Sequence, residues 1–369
     1  NRLDKKELET LITNGIESTR YLAVDESRML ADPARYYKGG KPDLQLFDKK
    51  LYEVNPDDKV AIARAAAEEV LGKDERIISV DSSYSDGEGS SYRLISNGFE
   101  GESKSTWFSV SASVSIKGEG EARPQDYWYD SALFYDKLTK TGIGAKALER
   151  VLRKLGQKKA KSGKYTMVVD PMNVGNLLSP MLSALYGSAL QQKNSFLMDK
   201  LDTKVASDLF TLRDEPHAIG ANGSRYFDNE GVATEPRTVF DKGVLKTYFI
   251  DTYNGKKMDI APTISAPSRL ILTPGDKDLN GLVADIKQGI LVTGFNGGNS
   301  NSSTGDFSYG IEGFLIEDGK LTQPVNEMNV TGNMVTLWNS LVAVGNDPQP
   351  NRSWQIPSLV FEGVDFSGL

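Results

Sequence analysis

Phe314-Leu315-Ile316-Glu317-Asp318-Gly319-Lys320-Leu321 reads as two short strands joined by a polar turn, and it sets the character of the second half of the chain. Thr238-Val239-Phe240-Asp241-Lys242-Gly243-Val244-Leu245, upstream, is a second unit of the same kind. Hairpin units in a Gly- and Asn-rich half point to antiparallel sheet with a barrel-like closure. Tyr165-Thr166-Met167-Val168-Val169-Asp170 opens this half as a buried strand, and Leu177–Tyr186 is its one apolar helix. Between the hairpins, Gly294–Gly305 is too rich in glycine and asparagine for regular structure. A long exposed loop, of the kind that often carries function, is expected there.

Working outward toward the N-terminus, helices alternate with a strand-rich stretch. Asp4 with Glu7 resembles a capping box, and Leu8, Leu11, Ile12 and Ile16 follow at helical spacing. Asn55-Pro56 places an N-cap and a first-turn proline ahead of a helix whose Ala63, Ala67, Val70 and Leu71 face one way, with Gly72 stopping it. From Arg76 to Gly118 the period becomes two. Ile77–Val80 and Ser91–Ile95 read as strands around the polar turn Ser85-Asp86-Gly87-Glu88-Gly89, Asn97-Gly98 signals a hairpin, and Trp107–Val114 is a further strand. The acidic turn lacks EF-hand spacing, so it reads as a solvated turn rather than a calcium loop. A third helix, Gly142–Leu155, carries Ile143, Ala147, Leu148, Val151, Leu152 and Leu155 as its core stripe. The fold class expected is α+β. An N-terminal mixed α/β domain (1–163) precedes a mostly antiparallel-β, barrel-like C-terminal domain (164–369), with the boundary in Lys158–Lys164.

At 369 residues the chain exceeds the size of one ordinary core. A net charge of −7 argues against direct nucleic-acid binding, and the basic run Lys158–Lys161 reads as the cationic end of the third helix. No apolar run is long enough to span a bilayer. Asn1–Lys6 shows neither an initiator Met nor a signal core, which suggests a preceding segment. Cytoplasmic residence is the expectation. The decisive count is one histidine and no cysteine. Zero cysteine removes disulfide and thiolate chemistry, and one histidine cannot supply the His-His-carboxylate set of a catalytic zinc. No cofactor is expected.

Several segments together resemble the TldD/PmbA peptidase family, in its PmbA (TldE) branch. They are Asn194-Ser195-Phe196-Leu197 with the Lys200-Leu201 turn, Asp214-Glu215-Pro216, Phe227-Asp228-Asn229-Glu230-Gly231 and Lys242-Gly243-Val244-Leu245. Thr304-Gly305-Asp306-Phe307-Ser308, Glu312–Gly319, Pro324-Val325 and Thr331-Gly332-Asn333 complete the series. The resemblance implies a heterodimeric zinc metalloprotease acting on unfolded peptides, in which the TldD-type subunit carries a His-Glu-x-x-x-His helix plus a Cys ligand. At the corresponding place, Leu177–Leu190 holds no His, Glu or Asp. The chain therefore resembles the metal-free partner, with a TldD-like zinc-bearing subunit, or a second copy of itself, as its expected partner. The family has also been linked to DNA gyrase and toxin–antitoxin control.

The site residues this reading singles out, as peptide-groove or interface candidates, are Ser195, Phe196, Asp228, Glu230, Gly231, Phe307 and Gly313. Asp228-Asn229-Glu230 could also hold a hard cation, although acidic residues before glycine usually shape a turn. A Ser/His/Asp triad would have to use His217, with Ser195 or Ser224 as nucleophile, and neither serine sits in a Gly-x-Ser-x-Gly elbow. Two alternatives to the scaffold reading therefore stand: a peptide-binding or regulatory homodimer, and a metal-free hydrolase using His217. Asn296–Ser303 lacks a P-loop ending, and Trp107, Trp128, Trp338 and Trp354 are too dispersed for a base-stacking platform.

Overall fold

The computed structural model describes residues 4–369; Asn1–Leu3, part of the start discussed above, lie outside them. Helix α1 (Lys5–Thr19) begins as the capping box predicts, the Glu7 amide donating to the Asp4 carboxylate at 3.0 Å. Its apolar residues do not enter a core: no α1 residue is buried, and Leu11 is 69% exposed. Helix α2 (Pro56–Glu68) is capped by Asn55, which accepts from the Asp58 amide at 2.9 Å. Of the expected stripe Val70 is buried and Ala63 and Ala67 are half-buried, while Leu71 is exposed and Ala66 is the α2 residue buried outright.

Strands β1 (Ile77–Ile95) and β2 (Phe99–Ile116) form one long hairpin through Asn97-Gly98, with β3 (Gln125–Ala132) added at the edge of β2. The predicted turn at Ser85–Gly89 is instead continuous strand, paired from Ser85↔Ser109 to Gly89↔Ser105. Lys59 of α2 neutralises Asp86 at 2.7 Å, and glycine at 87 leaves room for the Trp107 ring, so a polar sequence stays extended. On β2, Phe108, Val110, Ala112, Val114 and Ile116 alternate inward under α2 and α3 (Ile143–Leu152). Lys158–Lys161 lies beyond the end of α3 rather than on it. There Lys158 bridges to Val325, and Lys159 pairs with Glu327 at 3.7 Å.

The second half contains β4 (Gly163–Val169), α4 (Gly175–Ser183), α5 (Gly187–Gln191), β5 (Leu212–Asp214), β6 (Arg237–Asp241), β7 (Val244–Leu245), α6 (Thr252–Met258) and β8 (Leu270–Leu272). It continues through α7 (Leu279–Ala284), β9 (Gln288–Ser300), β10 (Asp306–Glu317), β11 (Lys320–Asn333), α8 (Met334–Asn339), β12 (Leu341–Val344), β13 (Trp354–Gln355) and β14 (Leu359–Ser367). Strands β11, β10, β9, β4 and β14 are paired in that order, and Asn329–Thr331 of β11 pairs back onto Asp365–Ser367 of β14, which closes a five-stranded barrel. Only β4–β9 within it is parallel. Both faces of β4 are covered: Met167 and Val169 join the large core with α4 and α8, and Val168 lies under α7. That explains its unbroken apolar run. A second sheet, β13-β8-β5-β6-β7, flanks the barrel.

The hairpin turns at Lys242-Gly243 and Asp318-Gly319 adopt left-handed backbone, as such two-residue turns require. The long loop expected at Gly294–Gly305 shrinks to Asn301–Gly305, because β9 stays paired with β10 as far as Ser300↔Phe307. Glycine serves close approach there: a Cβ on Gly298 would lie 2.1 Å from the Ser308 carbonyl oxygen. The apolar helix expected at Leu177–Tyr186 is α4, and the Leu177–Leu190 stretch is two helices, α4 and α5, separated where Tyr186 turns extended. Trp338 is a core anchor, whereas Trp107 is 46% exposed. Among the described residues no helix is long and apolar enough to cross a membrane.

The two halves interlock. Phe99, at the β1–β2 tip, is 2% exposed and sits in the large core against Tyr36 (5.3 Å) and Phe227 (5.1 Å).

Candidate functional site

The candidate residues fall in three places. The first follows α5, where Asn194–Phe196 meets the β9–β10 loop. Ser195 is buried; its hydroxyl donates to the Ala184 carbonyl at 2.6 Å and accepts from the Leu197 amide at 3.1 Å. The Phe196 amide donates to the Ser302 carbonyl, and the Asn194 side-chain oxygen accepts from the Ser302 and Ser303 hydroxyls at 2.7 and 2.5 Å. The Phe196 ring lies over Gly305, and buried Phe307 stacks on Tyr309 at 5.4 Å. Sequence-distant motif pieces are thus joined in one polar seam, in which the Asp306 carboxylate accepts from the Thr304 hydroxyl at 2.7 Å and the Asn333 amide at 2.9 Å.

The second is the Asp228 turn. Asp228 is 2% exposed, and its carboxylate accepts three amides: Glu230 at 2.8 Å, Val232 at 3.0 Å and Ser265 at 3.0 Å. Two of these bonds fold the turn and the third ties it to the segment at Ser265. Glu230 reaches the start of α6, accepting from the Thr252 amide and hydroxyl at 3.0 and 2.9 Å, and burial pushes its carboxyl above the usual range. Gly231 abuts the Phe99 ring, where a Cβ would approach to 2.6 Å. The cluster is a structural lock under the hairpin tip. Gly313 stands apart from both groups, in the barrel wall, where a Cβ would lie 1.8 Å from the Leu291 carbonyl oxygen.

His217 follows β5. Its Nε2 lies 3.1 Å from Thr234 Oγ1 and 3.5 Å from Lys41 Nζ. Thr234 gives its own proton to the Arg225 carbonyl, and Nε2 faces the Thr234 hydroxyl and the Lys41 ammonium rather than a serine hydroxyl. Burial and the Lys41 charge hold the ring below its ordinary pKa. Ser224 donates to the Ala218 carbonyl at 2.7 Å, and Ser195 is committed to Ala184. No serine–histidine–carboxylate relay is assembled.

The α4–α5 region buries Leu177, Leu178, Met181, Leu182, Ala184 and Leu185, and Gly175–Gln191 contains no His, Cys, Asp or Glu. Among the described residues no three His, Cys, Asp or Glu side chains group to hold a metal ion. The residues present do not fit a catalytic zinc.

What sequence reasoning missed lies between the two halves. A cleft of about 490 Å³ is lined by Tyr37, Lys41, Arg93, Arg225, Tyr226 and the Asp228 turn, and further clefts continue along the same seam. Their residues are scattered from 37 to 355, so no local motif marks them.

Fold and site together define an α+β protein with a closed barrel, an embedded hairpin arm and an apolar helix pair. Residues 49–155 match the central-domain model of the PmbA/TldA metallopeptidases, and residues 162–368 match their C-terminal-domain model. The chain belongs to this family. A metalloprotease PmbA homolog of Haemophilus influenzae is 29% identical over 98% of this chain and 81% of its own length. The crystal structure of a Bacteroides thetaiotaomicron protein described as a candidate modulator of DNA gyrase is 73% identical, with a TM-score of 0.99 over 100% of this chain and 84% of that one. TldE from Thermococcus kodakarensis, 22% identical over 99% of this chain and 85% of its own, shares the fold with a TM-score of 0.82.

Proposed function

We propose that this chain is the non-catalytic, PmbA/TldE-type subunit of a TldD/TldE-type zinc metalloprotease system, cytoplasmic and organised as an N-terminal unit (1–163) and a C-terminal unit (164–369). It pairs with a TldD-like zinc-bearing subunit and scaffolds the binding of unfolded peptides for that subunit to cleave. The observation that carries the reading is the α4–α5 pair, packed with aliphatic side chains and lacking His, Cys, Asp and Glu. The family assignment and the TldE fold likeness support the pairing. The hydrolase alternative loses support, since His217 and both candidate serines are committed to other partners.

Co-expression with the TldD-like protein of the same organism tests the pairing. The expected result is a stoichiometric complex that cleaves an unstructured peptide, while this chain alone does not. A chain that purifies only as a homodimer, with no effect on the other subunit's activity, would overturn it.

A further inference from the structure

Three adjoining clefts along the seam between the two halves contain no acidic residue. Their volumes are about 350, 420 and 270 Å³; the first two share Leu133 and Asn222, and the last two share Arg352. No Asp or Glu lines any of them, in a chain whose net charge is −7. The cations that line them are Arg225, Lys137, Arg269 and Arg352.

Among the described residues none of these four makes a carboxylate ion pair. Arg225 spends its guanidinium on the Ser268 hydroxyl (2.8 Å) and the Ala266 and Pro267 carbonyls. Arg269 keeps a buried Nε with no hydrogen-bond partner. Arg352 lies over the Tyr129 ring at 4.8 Å. Leaving buried guanidinium donors unpaired costs free energy, and an incoming oxyanion recovers it through charge-assisted hydrogen bonds. Apolar surface sits beside the charge: Phe134 and Ile219 line the middle cleft, and Ile219 is 60% exposed.

We propose that this seam is a binding groove for extended, acidic stretches of unfolded polypeptide, with Arg269 and Arg352 receiving side-chain carboxylates and Phe134 and Ile219 receiving an adjacent apolar residue. The groove deepens the scaffold role proposed above and rests on it: it gives the metal-free subunit a sequence preference of its own.

The test is fluorescence anisotropy of a labelled, unstructured peptide of alternating Glu and Leu/Ser residues, against the same peptide with every Glu replaced by Gln. The full chain is compared with Lys137→Gln and with the Arg269→Gln/Arg352→Gln double variant, each checked for an unchanged melting temperature. The acidic peptide is expected to bind at least about tenfold more tightly than the neutral one. That preference should weaken with added salt and vanish in the double variant. Lys137 is exposed, so its variant keeps the test readable if the double variant does not fold; it should lose about threefold. Equal binding of the two peptides, or an unaltered preference in Lys137→Gln, overturns the proposal. So does full competition by millimolar phosphate or acetate, which would make the groove a simple oxyanion site. Complex formation with the TldD-like subunit is measured separately, so loss of peptide preference with pairing retained refutes this groove alone.

Discussion

Replacing Phe99 with alanine removes the plug that fastens the β1–β2 arm into the large core. The ring is 2% exposed and packs against Tyr36 and Phe227 at 5.3 and 5.1 Å. Truncating a buried phenylalanine costs about 3–5 kcal/mol, and each well-placed aromatic pair contributes about 0.5–1.5 kcal/mol beyond area burial. The site collapses poorly, because the ring lies against Gly101 and Gly231, where even a Cβ would come within 2.6 Å of it, and glycines have no side chains to move into the space. The expected loss is therefore about 4 kcal/mol, in the upper part of the range. Equilibrium urea unfolding followed by tryptophan fluorescence reads it directly. Leu94→Ala, at a position 72% exposed four residues before the hairpin tip's Gly98, should stay within about 0.5 kcal/mol. A Phe99→Ala loss under about 1 kcal/mol would refute the claim that the arm is locked into the second half.

The sole histidine gives a single imidazole resonance, which should titrate with a midpoint below 6.5; Lys41→Glu should raise it, and a wild-type midpoint above 6.5 contradicts the site described. Because its folded value is depressed, His217 contributes stability above the unfolded value, and that stability is lost as pH falls through the folded one. Asp228→Ala strands three amide donors and should cost about 3 kcal/mol in thermal or urea unfolding, with Asp228→Asn recovering part of it. Burial raises the Asp170 carboxyl, so its favourable contribution is complete below the unfolded value of about 3.8 and is lost as pH rises through the folded one. Asp170→Asn keeps an acceptor for Asn173 and should melt higher than wild type at pH 7, the advantage shrinking toward pH 4; equal melting at both pH values would contradict this.

The elements legible in the sequence were those with a local cause. Asn55 and Asp4 cap helices through their own side chains, and Lys242-Gly243 and Asp318-Gly319 turn because their backbone is left-handed. What escaped depends on distant residues. Ser85–Gly89 stays extended because Lys59 and Trp107 complete it, and Gly298 sits in a strand because Ser308 crowds it. The barrel-like closure itself was legible from the hairpins, but not the pair that makes it, β11 on β14, which joins segments more than thirty residues apart. The motif pieces did mark real junctions, since Phe196 meets Ser302 and Gly305 and Gly231 meets Phe99. Gly313 was singled out with them although its role is close strand packing. The seam cations carry no sequence pattern at all.

The central claim, that this chain holds no catalytic metal and acts through a partner that does, is tested most directly by one experiment. Zinc is quantified by mass spectrometry in the purified chain and in its complex with the TldD-like subunit, with peptide hydrolysis assayed on the same samples. The account predicts no stoichiometric zinc and no hydrolysis for the chain alone, and one zinc with hydrolysis for the complex. One tightly bound zinc per chain, accompanied by hydrolysis in the partner's absence, would contradict it.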